Sequence, residues 1–259
     1  MEGGLKMKRL LVIACCFLLA VALAGCGDDR EKKVLRVATT ANFPPFEYFQ
    51  PNSGIHTGFD IDMIRDIGKK LGYDEVEFIN VDFLKLIEGL ESKQYDMVVS
   101  GLAITPEREA RVAFSKPYIS DGLTVVLPVG TKFPNEVKSL YGKRVAVEAG
   151  SIAFDWVMQH NEASNIIITE STEKAIKAVV EDRADCMVAS KLSVAFLLAQ
   201  GFSDSVRFAD DNVLVEDKIA IAVNKENTKL LEELNKELVK YMQSAAYKQL
   251  CRIYFGGMI

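Results

Sequence analysis

The chain has 259 residues, of which 49% are apolar and 26% charged, with a formal net charge of −5. That composition is ordinary for a globular protein, and the length suits one large domain or two medium ones. A net-acidic chain without a basic stripe argues against nucleic acid as a partner.

At the N-terminus, Lys6, Lys8 and Arg9 precede the apolar run "LLVIACCFLLAVALAGC". It is too short and wrongly flanked for a spanning helix, so residues 1–26 read as a secretory signal peptide, with Met7 as an alternative start. The run ends in Leu23-Ala24-Gly25-Cys26, which resembles a bacterial lipobox and marks Cys26 as the lipid-modified first residue of the mature protein. Residues 27–33 then form a charged tether. Maturation leaves 28 basic and 35 acidic residues, a formal charge of −7. Besides the lipidated cysteine, Cys186 and Cys251 remain. They lack metal-ligand spacing and read as two buried thiols.

From Val34 the chain alternates strand-like and helix-like segments. "VLRVATT" is a strand. "FDIDMIRDIGKKLG" carries apolar residues at 61, 63, 64, 67 and 71 and stops at Gly72, which predicts a helix. "VEFIN" is a strand, "FLKLIEGLESK" a helix and "YDMVVSG" a buried strand. Thr105-Pro106-Glu107 then opens a helix, with a capping threonine, a proline at the first position and an acid at the positive end. Arg108 runs against that dipole. It either pairs in solvent with Glu107 or Glu109, or serves something else.

The second half repeats the alternation: "KRVAVEA" strand, a helix from Ser151, "NIIIT" strand, "TEKAIKAVVEDR" helix, "ADCMVAS" strand. This implies an α/β architecture with mostly parallel sheets. "LESKQYDMVVS" and "VEDRADCMVAS" align without gaps at an offset of ninety, which puts Ser100 and Ser190 at equivalent strand ends. Ligands of open α/β sheets bind beyond such ends. The extended runs "DGLTVVLPV" (121–129) and "DKIAIAVN" (217–224) read as a two-stranded hinge. It joins one lobe, residues 34–121 and 219–259, to another, residues 122–218. Of the two histidines, His56 reads as a solvated loop residue and His160 as a helix-end residue.

"NFPPFEY" (42–48), "GFDIDM" (58–63), "GLAITPERE" with "FSKPY" (101–118) and "ADCMVAS" (184–190) together resemble the bacterial extracellular solute-binding proteins of the amino-acid type, family 3. The resemblance spans residues 34–259. It implies a periplasmic-binding-protein-like fold, two α/β lobes that close on a ligand and present it to an ABC permease. It further implies a monomer without cofactor or metal, held on the outer side of a bacterial membrane through its lipid alone.

By the same resemblance Arg108 grips a ligand carboxylate, for which a guanidinium fork is well shaped. Backbone N–H groups at Gly101 and Ala103 add donors, and Phe43 and Phe83 sandwich the ligand side chain. Thr40 matches a position that contacts the distal end of the ligand. Ser151 and the start of its helix face the carboxylate. The family's aspartate for the α-ammonium group is here Ser190, followed by Lys191. Either Glu148 covers the ammonium or the ligand has none. Some relatives are cyclohexadienyl dehydratases, so an enzyme using Glu148 as its general acid is the alternative to a binding protein.

Overall fold

The computed structural model describes residues 31–131, 140, 142–160, 165–209 and 213–256. The signal-peptide and lipidation readings, Cys26 included, lie outside the described residues. Strand β1 (Val34–Thr39) leads into a small antiparallel sheet of β2 (Asn42–Phe43), β3 (Glu47–Phe49) and β4 (His56–Thr57). Gly58 then turns the chain at φ 129°, where a side chain would strike the Phe46 carbonyl, and helix α1 (Phe59–Lys70) begins. Asp60 and Asp62 lie in its first turn and Lys69 and Lys70 in its last, as the helix dipole favours. Its face of Phe59, Met63, Ile64 and Ile67 is fully buried with Leu35 and Val37 of β1. Each such side chain stabilises the fold by about 1.5–3 kcal/mol.

Strands β5 (Glu75–Asn80) and β6 (Met97–Val98) flank β1 in parallel. A 3₁₀ turn, Phe83–Lys85, and α2 (Leu86–Glu91) connect them. Helix α3 (Pro106–Arg111) starts as the sequence predicts, with Thr105 Oγ1 accepting from the Arg108 N–H at 3.2 Å. After β7 (Ala113–Phe114), the ten-residue β8 (Ile119–Pro128) crosses to a second sheet. That sheet is built from β9 (Arg144–Glu148), α4 (Ile152–His160), β10 (Asn165–Thr169), α5 (Thr172–Val180) and β11 (Cys186–Ser190). Helix α5 is capped by Ser171 and buries Ala175, Ile176, Ala178 and Val179. Helix α6 (Lys191–Leu197) and β12 (Val206–Phe208) complete the lobe.

The chain returns through β13 (Glu216–Ile219) and β14 (Ala222–Val223), then ends in α7 (Thr228–Met242) and α8 (Ala245–Phe255), both packed on the first lobe. The sheet orders are β5-β1-β6-β14-β7 and β10-β9-β11-β8-β12, with β13 paired to β8. Each sheet therefore has a parallel core, as predicted, but antiparallel strands beside it. A chain that crosses between lobes and comes back must run its returning strands against those it left.

The internal repeat is real in three dimensions, one residue away from the sequence alignment. In the first lobe the Arg36 N–H donates to Asp96 at 2.8 Å, and in the second the Arg144 N–H donates to Asp185 at 2.7 Å. The turns before these aspartates place Lys93 and Asp182 at φ 59° and 55°. Asp185 follows Asp96 by 89 residues and Asp182 follows Lys93 by 89, not ninety, so Ser100 corresponds to Ala189 rather than Ser190. His56 is not a solvated loop residue: it lies in β4, half-buried, with its ring between Phe49 and Phe78. Burial and the nearby Arg65 hold its pKa below the usual value. Cys186 is buried and Cys251 half-buried, and both are free thiols.

Candidate functional site

A cavity of about 60 Å³ lies between the two lobes. The first lobe contributes Phe43, Phe83, Ser100, Gly101, Ala103 and Arg108 to its wall, and the second Glu148, Ser151, Thr172 and Ser190. The crossing strands add Asp121 and Asp217. Eight of the nine ligand-contact residues expected from the sequence meet here. Thr40 does not reach the wall. It is buried behind it, with its hydroxyl donating to Glu47 Oε1 at 3.2 Å.

Arg108 reaches the cavity because the Thr105 cap and Pro106 fix the first turn of α3 beside the Gly101–Ala103 segment. Its guanidinium lies 5.5 Å from the centre of the Phe83 ring. It donates to the Ala103 carbonyl at 2.8 Å and, across the cleft, to the Gly150 carbonyl at 3.0 Å. No ion-pair partner holds it among the described residues, so the alternative of pairing with Glu107 or Glu109 in solvent is set aside. Burial lowers its pKa, opposed by the charges of Asp155, Glu107 and Asp217. A guanidinium has five N–H donors, so donors remain for an anion.

Two further bonds hold the lobes together. Ser193 Oγ donates to the Pro44 carbonyl at 2.6 Å, and Asn42 Nδ2 to the Glu170 carbonyl at 3.4 Å. The arrangement is a closed one.

Several groups expected to meet a ligand are already committed. The Gly101 N–H donates to Asp60 Oδ2 at 2.7 Å, so it is not free for a carboxylate. What Gly101 supplies is space: it sits at φ 50°, and a side chain there would strike the Phe43 ring. Ser151 Oγ accepts from the Phe154 N–H at 3.1 Å and donates to the Glu148 carbonyl at 2.8 Å, the posture of a helix cap. Ser190 Oγ likewise accepts from Ser193 N–H at 3.0 Å while donating to Asp121 Oδ2 at 2.5 Å. Phe43 stacks on Phe46 with centroids 5.3 Å apart.

The acids around the cavity fall into two groups. Behind the wall, Glu47 and Asp60 are both fully buried. Ser100 Oγ donates to Glu47 at 2.7 Å, and Tyr118 Oη to Asp60 at 2.6 Å. Burial raises both pKa values, that of Glu47 further because Asp60 lies beside it. At the wall, Glu148 accepts from Thr172 Oγ1 at 2.8 Å, and burial lifts its pKa to about 7. Asp217 is pushed to about 7 by burial and by the charge of Asp121. Asp60, Asp121 and Asp217 were not singled out from the sequence. Asp60 stands inside "GFDIDM" disguised as a helix-start acid, and the two others open the two hinge runs.

A family model for the bacterial extracellular solute-binding proteins, family 3, matches residues 35–257. The chain belongs to that family. This family 3 protein is 29% identical over 245 residues to a putative ABC transporter arginine-binding protein 2 of Escherichia coli (strain K12), covering 92% of this chain and 98% of the relative. Among solved structures it resembles an ancestral arginine-binding protein bound to glutamine, with a TM-score of 0.80 and 32% identity over 88% of this chain and 100% of the other. It also resembles the ancestral amino acid-binding protein AncCDT-1, a precursor of cyclohexadienyl dehydratase. There the TM-score is 0.77 and the identity 30%, over 86% of this chain and 95% of the other. The fold is periplasmic-binding-protein-like, as the sequence motifs imply.

Proposed function

We propose that the protein captures an amino acid outside the cytoplasm by closing its two lobes on it, and hands it to an ABC permease. The observation that carries this reading is Arg108. A cation taken out of water without a carboxylate partner is costly, and this one faces a cavity at the meeting of two lobes with N–H donors to spare. A ligand carboxylate supplies the missing charge. Phe43 and Phe83 then line the ligand's side chain, and Glu148 faces its distal end. Because Arg108 also bridges to Gly150, ligand binding and closure act on the same side chain, which is how a ligand shifts a hinge equilibrium. The family and its amino-acid-binding relatives support the substrate class. The lipobox-like Leu23–Cys26 supports tethering to the outer side of the membrane through Cys26, with the protein acting as a monomer.

The test is thermal unfolding of residues 27–259 against the twenty amino acids, dicarboxylates and keto acids. A ligand at one hundred times its Kd adds about 2.7 kcal/mol. At this size that is roughly a 5–10 °C rise. Arg108→Ala abolishes the rise. A rise that survives in that variant overturns the reading.

A second reading rests on Glu148, whose pKa near 7 suits a general acid. The resemblance to a dehydratase precursor favours it too. Turnover of prephenate or arogenate, lost in Glu148→Gln, would establish it.

A further inference from the structure

Resting on the capture reading, we infer that Asp217, with Asp121 behind it, is the seat of the ligand's ammonium group and selects α-amino acids over their ammonium-free analogues. Strands β13 and β8 pair antiparallel, and their register sets Asp217 directly opposite Asp121. Like charges opposite each other weaken a strand pair. Both nevertheless line the cavity that Arg108 enters. A zwitterion needs both ends: a fork for its carboxylate and an anion for its ammonium.

The two aspartates differ in what they have left to offer. Asp121 already accepts three hydrogen bonds, and neither of its oxygens lacks a donor: Oδ1 accepts from the N–H groups of Gly122 at 2.7 Å and Leu192 at 3.2 Å, and Oδ2 from Ser190 Oγ. Asp217 Oδ1 is buried and has no hydrogen-bond partner among the described residues. A buried carboxylate oxygen left without a donor is costly, and a ligand N–H removes that cost. Ser190 is no substitute for an acid, because its hydroxyl is neutral, spends its proton on Asp121 and already accepts from the Ser193 N–H, so it brings no charge to an ammonium. Glu148 has a donor in Thr172 Oγ1. Arg108 is the only cation lining the cavity among the described residues and the ligand's α-carboxylate takes it, so an acidic side chain would find no partner there and the ligand class is an α-amino acid with a neutral or basic side chain.

The test compares each amino acid that binds with its α-keto and α-hydroxy acids, by calorimetric titration. Asp217→Asn is expected to weaken the amino acid about 10–100-fold, the worth of one buried charge-assisted bond. The ammonium-free acids keep or gain affinity. If that variant does not fold, Asp121→Asn serves. It leaves Asp217 in place, and an amino acid several-fold weaker with an unchanged keto acid supports the inference. An amino acid that binds through Arg108 but is indifferent to both aspartates overturns this inference and leaves the capture reading standing, as does a loss that appears only in Glu148→Gln. Binding of ammonium-free acids alone overturns the ammonium site and the amino-acid assignment together.

Discussion

Replacing Glu148 by glutamine isolates what it takes to hold a carboxylate at the cleft wall. The amide keeps an oxygen able to accept from Thr172 Oγ1, so the 2.8 Å bond survives and only the charge is removed. Burial raises the carboxyl from its ordinary 4.5 to about 7. If the site were dry, that rise would correspond to roughly 3 kcal/mol of destabilisation once the group ionises. Glu148 is half-buried, and solvent screening reduces the expectation to about 1–2 kcal/mol. The sign follows from proton uptake. The folded state holds a proton between about pH 4.5 and 7 that the unfolded state has released, so this group's contribution to stability falls as pH rises through that window. Glutamine lacks the slope. In ligand-free thermal unfolding the variant is therefore expected to match the parent near pH 4. Near pH 8 it should exceed the parent by roughly 2–8 °C, at about 2–4 °C per kcal/mol. A difference that is the same at both pH values, or a variant less stable at pH 8, refutes the argument from burial.

Gly101→Ala puts a side chain at φ 50° and 2.6 Å from a Phe43 ring carbon. A loss of about 1–3 kcal/mol is expected in a urea titration, together with weaker ligand binding as Phe43 is displaced; an unchanged midpoint would contradict it. Ser193→Ala removes the buried bond to the Pro44 carbonyl that ties the lobes. One such bond is worth about 1 kcal/mol, so ligand affinity should fall about fivefold. X-ray scattering should show a larger radius of gyration for the unliganded variant, and unaltered scattering and affinity would show that the bond does not govern closure.

Period and punctuation made much of this molecule legible in advance. The apolar spacing of residues 61, 63, 64 and 67 predicts helix α1, the Thr105-Pro106-Glu107 start predicts α3, and the alternation of elements predicts α/β lobes. Those signals are local, since a helix face or a cap is written within a few residues. A cation at a helix start contradicts the local rule and marks Arg108 as a residue to explain, but the choice between a solvent ion pair and a ligand contact comes only from the family motif. The specific motifs carried the family and most of the cavity wall.

What the sequence could not say is which polar groups are left over. The Gly101 N–H, the Ser151 hydroxyl and the Ser190 hydroxyl each look available in the sequence, yet Asp60, the α4 start and Asp121 claim them. The partners lie 41 residues away in the first case and 69 in the last. Asp121 and Asp217 are visible at the heads of two extended runs, but nothing local says that the strands pair in the register that sets them face to face. A slip of one residue would have turned them to opposite faces. The sequence by itself determined the elements, the family and the cation at the cleft. Only the tertiary structure decided which acid of the cavity wall keeps a buried oxygen without a donor among the described residues, because satisfaction of buried polar groups is a property of the whole packed neighbourhood.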